Sequence, residues 1–68
     1  MPLSIRNQFP GTVKEVKLGT VMAEIIVQDG GGNQFISVIT KDAAEDLALK
    51  AGDEVTVLVK STSVMIQK

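Results

Sequence analysis

The chain has 68 residues, a formal net charge of −1, and neither Cys nor His. This length supports one domain, residues 1–68, which has no disulfide or zinc-binding His or Cys to stabilise it. Because 44% of the residues are hydrophobic, we expect an oligomer with apolar interfaces rather than a compact monomer. Seven basic against eight acidic residues, with two Phe as the only aromatic residues, argue against a nucleic-acid-binding surface.

The first strands are predicted by an alternation of apolar and polar residues with a period of two. Strands are expected over residues 4–9 and 11–19. The alternation breaks near Lys14–Glu15, which indicates a bulge or bend there.

A hairpin is predicted over residues 20–40. Residues 20–28 are densely apolar and rich in β-branched side chains, which indicates a central strand buried on both faces. The glycine-rich turn at 29–33 supplies residues that tolerate positive φ. The returning strand is expected over residues 34–40.

A short helix of about two turns is predicted to begin near Lys41–Asp42, where alanine, leucine and acids replace the β-branched residues. Asp42, with an acid three residues later, resembles a capping box, and Thr40 is the alternative N-cap. Lys50 is expected near the C-terminal end of this helix, with Gly52 as its breaker.

The last strands are predicted over residues 53–60 and 61–68. In the first of them the residues on one face are Val55, Val57 and Val59. The element order is then four strands, a short helix and two strands. One small helix among the strands of a curled sheet indicates an all-β fold with one short helix, an OB-like β-barrel.

Polar side chains collect near both ends of the chain. Ser4 and Arg6 share a face of the first strand, and Asn7 follows. A second cluster, Lys60-Ser61-Thr62-Ser63, follows the apolar strand. Both clusters are rich in hydrogen-bond donors and contain no acid, so together they would suit a dianion. Alternatively, Arg6 is a solvated strand residue and Lys60 protects a strand end.

No catalytic set is evident. Without His or Cys the usual nucleophile–base pairs are missing, and the acids are scattered along the chain. The three glycines at 30–32 lack the Lys-Ser/Thr that follows a phosphate loop. We therefore expect a protein that is not an enzyme and has no side chains that coordinate a metal. No apolar run is long enough to span a membrane and no signal peptide is evident, so a cytoplasmic protein with no membrane partner is expected.

Three stretches together resemble the molbindins, the single-domain members of the Mop family of molybdate- and tungstate-binding proteins: SIRNQFPGTV, GTVMAEIIV and ISVITKDAAEDLALKAGDEVTVLVKSTSVMI. The resemblance covers nearly the whole chain. It implies an OB-like barrel of the Mop/TOBE type, assembled as a homohexamer that is a trimer of dimers. It also implies non-covalent binding of molybdate or tungstate at subunit interfaces for storage or homeostasis, with no organic cofactor.

The resemblance also implies the site residues. The principal oxyanion site would be lined by two elements from different subunits: Ser4, Arg6, Asn7, Lys60 and Ser61. A secondary site is expected to use backbone and hydroxyl groups: Gly19, Thr20, Val21 and Thr40. Ile5 stands where a small residue is common in the family, and we expect it to pack away from the site.

Three alternatives remain open on the sequence alone. The first is an OB-type nucleic-acid-binding module, although the basic face is missing. The second is a swapped-hairpin transcription factor or antitoxin domain, which LALKAGDEVTVLVK resembles over about a quarter of the chain. The third is a structural oligomerisation module in which Arg6 and Lys60 pair with acids across an interface.

Overall fold

The computed structural model describes residues 5–68. Four strands and one helix follow in chain order: β1 (Asn7–Leu18), β2 (Met22–Asp29), β3 (Gln34–Thr40), α1 (Lys41–Asp46) and β4 (Glu54–Val59). A single 3₁₀ turn, Ser61–Ser63, comes after β4. These elements confirm the predicted all-β class with one short helix.

The strands form one antiparallel sheet in the order β3-β2-β1-β4. The long strand β1 pairs with β4 through its first half, from Asn7 to Thr12, and with β2 through its second half, from Gly11 to Leu18. Within residues 5–68, β3 and β4 are not paired with each other. The sheet is therefore a curled half-barrel with two edge strands.

The two strands predicted before residue 20 are one strand. Pro10 lies inside it, opposite Thr56, and pairing with β2 begins only at Gly11. Proline has no N–H to donate, but it is tolerated where a strand has a neighbour on one side only. The predicted bulge is confirmed, because the β1–β2 register shifts between Val13 and Glu15.

The core lies on the concave face of the sheet. Its fully buried members come from β1, β2 and α1: Val13, Ala23, Ile25, Val27 and Ala44. The predicted alternation of β4 is confirmed, since its valines are half-buried and the residues between them are exposed. The prediction that β2 is buried on both faces is wrong for the single chain. Its outward-facing residues, Glu24, Ile26 and Gln28, are only half-buried because no second layer covers them.

The helix begins where it was predicted, with Thr40 as the N-cap. The Thr40 hydroxyl accepts a hydrogen bond of 3.1 Å from the backbone N–H of Ala43, and Asp42 lies inside the first turn. The predicted C-terminus is wrong. The helix ends at Asp46, Ala48 takes a positive φ of 51°, and Lys50 donates its N–H to the Asp53 carboxylate in the turn that follows.

The strand predicted over residues 61–68 is not formed in the single chain. The 3₁₀ turn occupies its beginning, and residues 64–68 are exposed and belong to no strand. A strand needs a partner for its backbone groups, and this segment pairs with neither of the two sheet edges of its own chain. Its apolar side chains are consequently solvent-exposed, with Met65 and Ile66 exposed by 91% and 89%.

Candidate functional site

The two polar clusters are brought side by side by the pairing of β1 with β4. Asn7, the first residue of β1, is opposite Val59, the last residue of β4. The Asn7 side-chain amide also donates a hydrogen bond of 3.2 Å to the Val59 carbonyl. The residues just before Asn7 and just after Val59 therefore meet at one end of the sheet.

A surface depression of about 380 Å³ opens at this end of the sheet. It is lined by Ile5, Lys60, Ser61 and Thr62. The 3₁₀ turn fixes the backbone here, because the N–H of Ser63 donates to the carbonyl of Lys60 at 2.9 Å. Among the described residues that line it, Lys60 carries an ammonium, Ser61 and Thr62 carry hydroxyls, and none carries a carboxylate. We call it the donor depression.

The hydroxyls of the donor depression have no partner among residues 5–68. No side-chain hydrogen bond found from residue 5 onward involves Ser61 or Thr62. Thr62 was not among the predicted site residues. The cluster of Ser and Thr residues after β4 had indicated this segment, but only Lys60 and Ser61 of it were assigned to the site.

Arg6 is adjacent to the donor depression but is exposed and does not line it. Among residues 5–68 the only ion pair joins Lys17 and Glu15, 3.7 Å apart, so neither Arg6 nor Lys60 pairs with an acid of its own chain. Ser4, the remaining member of the predicted principal site, lies outside the described residues. The structure thus brings Asn7, Lys60 and Ser61 to one end of the sheet, with Arg6 exposed beside them.

We expected from the sequence that Ile5 would pack away from the predicted site, but it does not. It is half-buried and forms part of the wall of the donor depression. Its carbonyl accepts a hydrogen bond of 2.8 Å from the Gln8 side-chain amide, which holds the backbone in place. The expectation failed because Ile5 lies just before β1, where the register with β4 brings the chain beside Lys60.

The predicted secondary residues also lie together, at the junction of β2 and the helix. The carbonyl of Val21 accepts a hydrogen bond of 2.8 Å from the N–H of Lys41. Gly19 donates its N–H to the Met22 carbonyl at 2.8 Å, and an added Cβ on Gly19 would lie 2.8 Å from that same oxygen. Thr40 uses its hydroxyl oxygen as the helix cap and keeps a proton to donate.

A larger depression, of about 570 Å³, lies across β1 between the hairpin turn and β4. Its wall includes the carboxyl groups of Asp29 and Glu54, which would repel an anion. The N–H of Asn33, with smaller contributions from the Asn33 side chain and the N–H of Gly31, lowers the pKa of the Asp29 carboxyl and keeps it charged. This depression is therefore the wrong place for an oxyanion.

Two further structural findings bear on the kind of site. Among residues 5–68 no three acids stand close enough together to hold a metal ion, and the chain has no His or Cys. The single helix of the described chain, with six residues, is too short to cross a bilayer.

Comparison with known proteins identifies the class. The sequence matches the TOBE domain family over residues 3–66. It is similar to molybdenum-pterin-binding protein 2 of Clostridium pasteurianum, with 47% identity over 66 residues that make up 97% of each chain.

Solved structures give the same assignment. The fold is similar to a molybdate-binding protein from Sporomusa ovata, with a TM-score of 0.94, 44% identity and full coverage of both chains. It is also similar to the cytoplasmic molybdate-binding protein ModG, whose structure has molybdate bound. For ModG the TM-score is 0.86 and the identity 44%, over 90% of this chain and 43% of that one.

The chain belongs to the TOBE-domain family, in its molbindin-type Mop branch with an OB-like fold. The relatives named above are described as molybdenum-pterin-binding or molybdate-binding proteins.

Proposed function

We propose that this protein is a non-enzymatic, cytoplasmic binder of molybdate and tungstate, which it holds non-covalently between subunits for storage or homeostasis. The observation that carries the proposal is the donor depression, where Lys60, Ser61 and Thr62 present a cation and hydroxyls with no carboxylate. The family membership supports molybdate as the dianion. The description of ModG as cytoplasmic supports the location.

The chemistry of the donor depression favours a fully deprotonated dianion. Molybdate and tungstate carry no proton near neutral pH, so every oxygen can accept a hydrogen bond. Phosphate usually keeps one proton, and a site that offers only donors leaves that proton unpaired, which costs roughly 1–3 kcal/mol. Sulfate has no such proton, so only its smaller size and tighter hydration distinguish it from molybdate.

Arg6 is the second cation of the proposed site, and it would be supplied by a neighbouring copy. In its own chain it is exposed, follows Ile5 of the donor depression directly and is not one of the residues that line the depression. An exposed guanidinium without an acidic partner is suited to complete a site on another subunit, because it binds oxyanions through a fixed fork of donors. Ser4 would act beside it.

Self-association is supported by the apolar surface that the single chain leaves uncovered. An aliphatic hollow of about 290 Å³ opens between the edges of β3 and β4. Exposed apolar side chains continue over Leu58 and the segment 64–66. Such a surface is large for a monomer of 68 residues. We propose a homohexamer, a trimer of dimers, in which a second copy covers it.

The secondary residues form a second proposed oxyanion position. Val21, Lys41 and Thr40 are held together by backbone pairing and the helix cap. The Thr40 hydroxyl proton and the N–H groups of Thr20 and Val21 are the donors that this position would use, because the N–H of Gly19 already donates to the Met22 carbonyl. The first-turn amides of Lys41 and Ala43 already have partners within the chain.

Equilibrium dialysis of the purified protein against labelled inorganic molybdate tests the function. We expect saturable binding without any pterin or other organic cofactor, with tungstate competing on equal terms. Phosphate should fail to compete at large excess, and sulfate should compete weakly. An absence of molybdate binding by a correctly assembled protein would exclude the proposed function. Strong phosphate binding would show that the site contains an acceptor.

A further inference from the structure

We infer that Ile5 is a specificity-determining residue, whose apolar side chain lets the donor depression discriminate molybdate from sulfate. The inference rests on the proposed function and adds to it a reason why two dianions of equal charge are separated. Its basis is the position of Ile5 as a wall of the donor depression, next to Lys60, Ser61 and Thr62.

The donors and the apolar wall of this depression come from different segments. Among residues 5–68, the polar side chains that line it belong to the segment after β4, whereas the segment before β1 contributes the aliphatic Ile5. An anion seated there would keep hydrogen bonds toward Lys60 and Ser61. Where it contacts the Ile5 side chain it would lose water, and that side chain has no donor to offer in return.

That loss of water penalises a small dianion more than a large one. At fixed charge, the free energy of removing an ion from water rises as its radius falls. Sulfate is smaller than molybdate and is therefore more strongly hydrated. An aliphatic wall should thus favour molybdate over sulfate, although no side chain contacts the molybdenum atom itself.

The wall is held in place, as discrimination requires. The Gln8 side-chain amide donates to the Ile5 carbonyl at 2.8 Å, and two residues later the Asn7 side chain is tied to Val59 at 3.2 Å. The Gln8 bond fixes the local turn of the chain at Ile5, and the Asn7 bond ties the same segment to the end of β4. Ile5 therefore remains beside the depression, and its half-buried side chain continues to exclude water.

The test compares two variants of Ile5 with wild type by dialysis against labelled molybdate with sulfate as competitor. Ile5→Ala removes most of the aliphatic side chain that forms the wall. Ile5→Thr keeps a β-branched side chain but replaces its ethyl branch by a hydroxyl. We expect both variants to lower the molybdate-to-sulfate selectivity by roughly threefold to thirtyfold. An effect of this size corresponds to about one ordered water that stays at the anion when the Ile5 side chain no longer excludes it. Ile36→Ala is the matched control, since Ile36 is 65% exposed on β3 and does not line the donor depression.

The outcomes separate this inference from the function itself. Selectivity that falls in both Ile5 variants and stays at the wild-type value in Ile36→Ala supports the inference. Unchanged selectivity in both Ile5 variants overturns it while molybdate binding stands. A loss in Ile5→Ala alone would mean that the volume of the side chain matters and its apolarity does not, which also overturns it. If wild type itself binds no molybdate, the proposed function has failed.

Discussion

The side-chain amide of Asn7 donates a hydrogen bond to the carbonyl of Val59, although 52 positions separate the two residues in the chain. The bond joins the first residue of β1 to the last residue of β4, where the two polar clusters meet. In the proposed site each cluster supplies part of the donor set. The register of β1 against β4 therefore determines whether the donor depression exists.

Asn7→Ala should destabilise the protein and weaken molybdate binding together. The Val59 carbonyl loses its side-chain donor at a half-buried position, which costs about 1 kcal/mol, and the two segments that line the depression are less firmly joined. Denaturant unfolding without ligand and dialysis with molybdate measure the two effects. A variant as stable as wild type would show that this bond contributes nothing to the closure of the sheet.

Arg6→Ala should weaken molybdate binding without destabilising the empty assembly. A charge-assisted hydrogen bond contributes about 1.5–3 kcal/mol, so the affinity should fall by roughly one to two orders of magnitude. Arg6 has no acidic partner among residues 5–68, so its removal should leave the ligand-free melting temperature unchanged or slightly higher. Thermal melts with and without molybdate measure both quantities.

Arg6→Lys serves as the control for charge. It should recover only part of the affinity, because an ammonium lacks the fixed fork of donors of a guanidinium. The interpretation of Arg6 is wrong if Arg6→Ala melts well below wild type without ligand and still gains the full wild-type increment when molybdate is added. Arg6 would then be a structural residue that pairs across an interface.

The hairpin turn should tolerate a side chain at Gly30 but not at Gly32. Gly32 has a φ of +84°, so Gly32→Ala forces an L-residue into the left-handed region at a cost of about 1 kcal/mol. A Cβ on Gly30 meets no atom within 4 Å, and its φ is not positive. Gly30→Ala should be neutral or stabilise by about 0.5 kcal/mol. Equal unfolding free energies for the two variants would contradict this assignment of the turn.

The stability contributed by Asp29 should depend on pH. The N–H of Asn33, first among its partners, lowers the pKa of Asp29 in the folded state. A lowered carboxyl pKa contributes stability above the unfolded value of about 3.9, and this stability is lost as pH falls through the folded pKa. The stability difference between wild type and Asp29→Asn should be constant near neutral pH and shrink below about pH 4. A difference that grows on acidification would contradict the assignment.

Local features of the fold could be predicted because local residues determine them. The break in alternation near Lys14 predicted the bulge, and the three glycines predicted the hairpin turn. Thr40 was one of two candidates for the N-cap, which it forms. Which glycine takes the positive φ was not predictable from three consecutive glycines. The early end of the helix at Asp46 was missed because Gly52 looked like the stronger stop signal.

The failed predictions concern residues whose surroundings come from elsewhere in the chain or from another copy. Ile5 was expected to pack away from the site, but the register of β1 with β4 makes it a wall of the donor depression. The final strand was predicted from its own composition, yet residues 64–68 find no partner strand in their own chain. Periodicity identifies a segment that could pair and says nothing about which strand accepts it.

The measurement that tests the shared oxyanion site most directly is subunit complementation between Arg6→Ala and Lys60→Ala. Each variant alone should lack intact principal sites. If Arg6 and Lys60 of one site come from different subunits, co-assembly of equal amounts restores both groups at about a quarter of the sites, as symmetric interfaces require. Molybdate dialysis of the mixed assembly should then recover that fraction of wild-type binding at high affinity. No recovery in a demonstrably mixed assembly would mean that both groups act within one chain, and the shared-site account would be wrong.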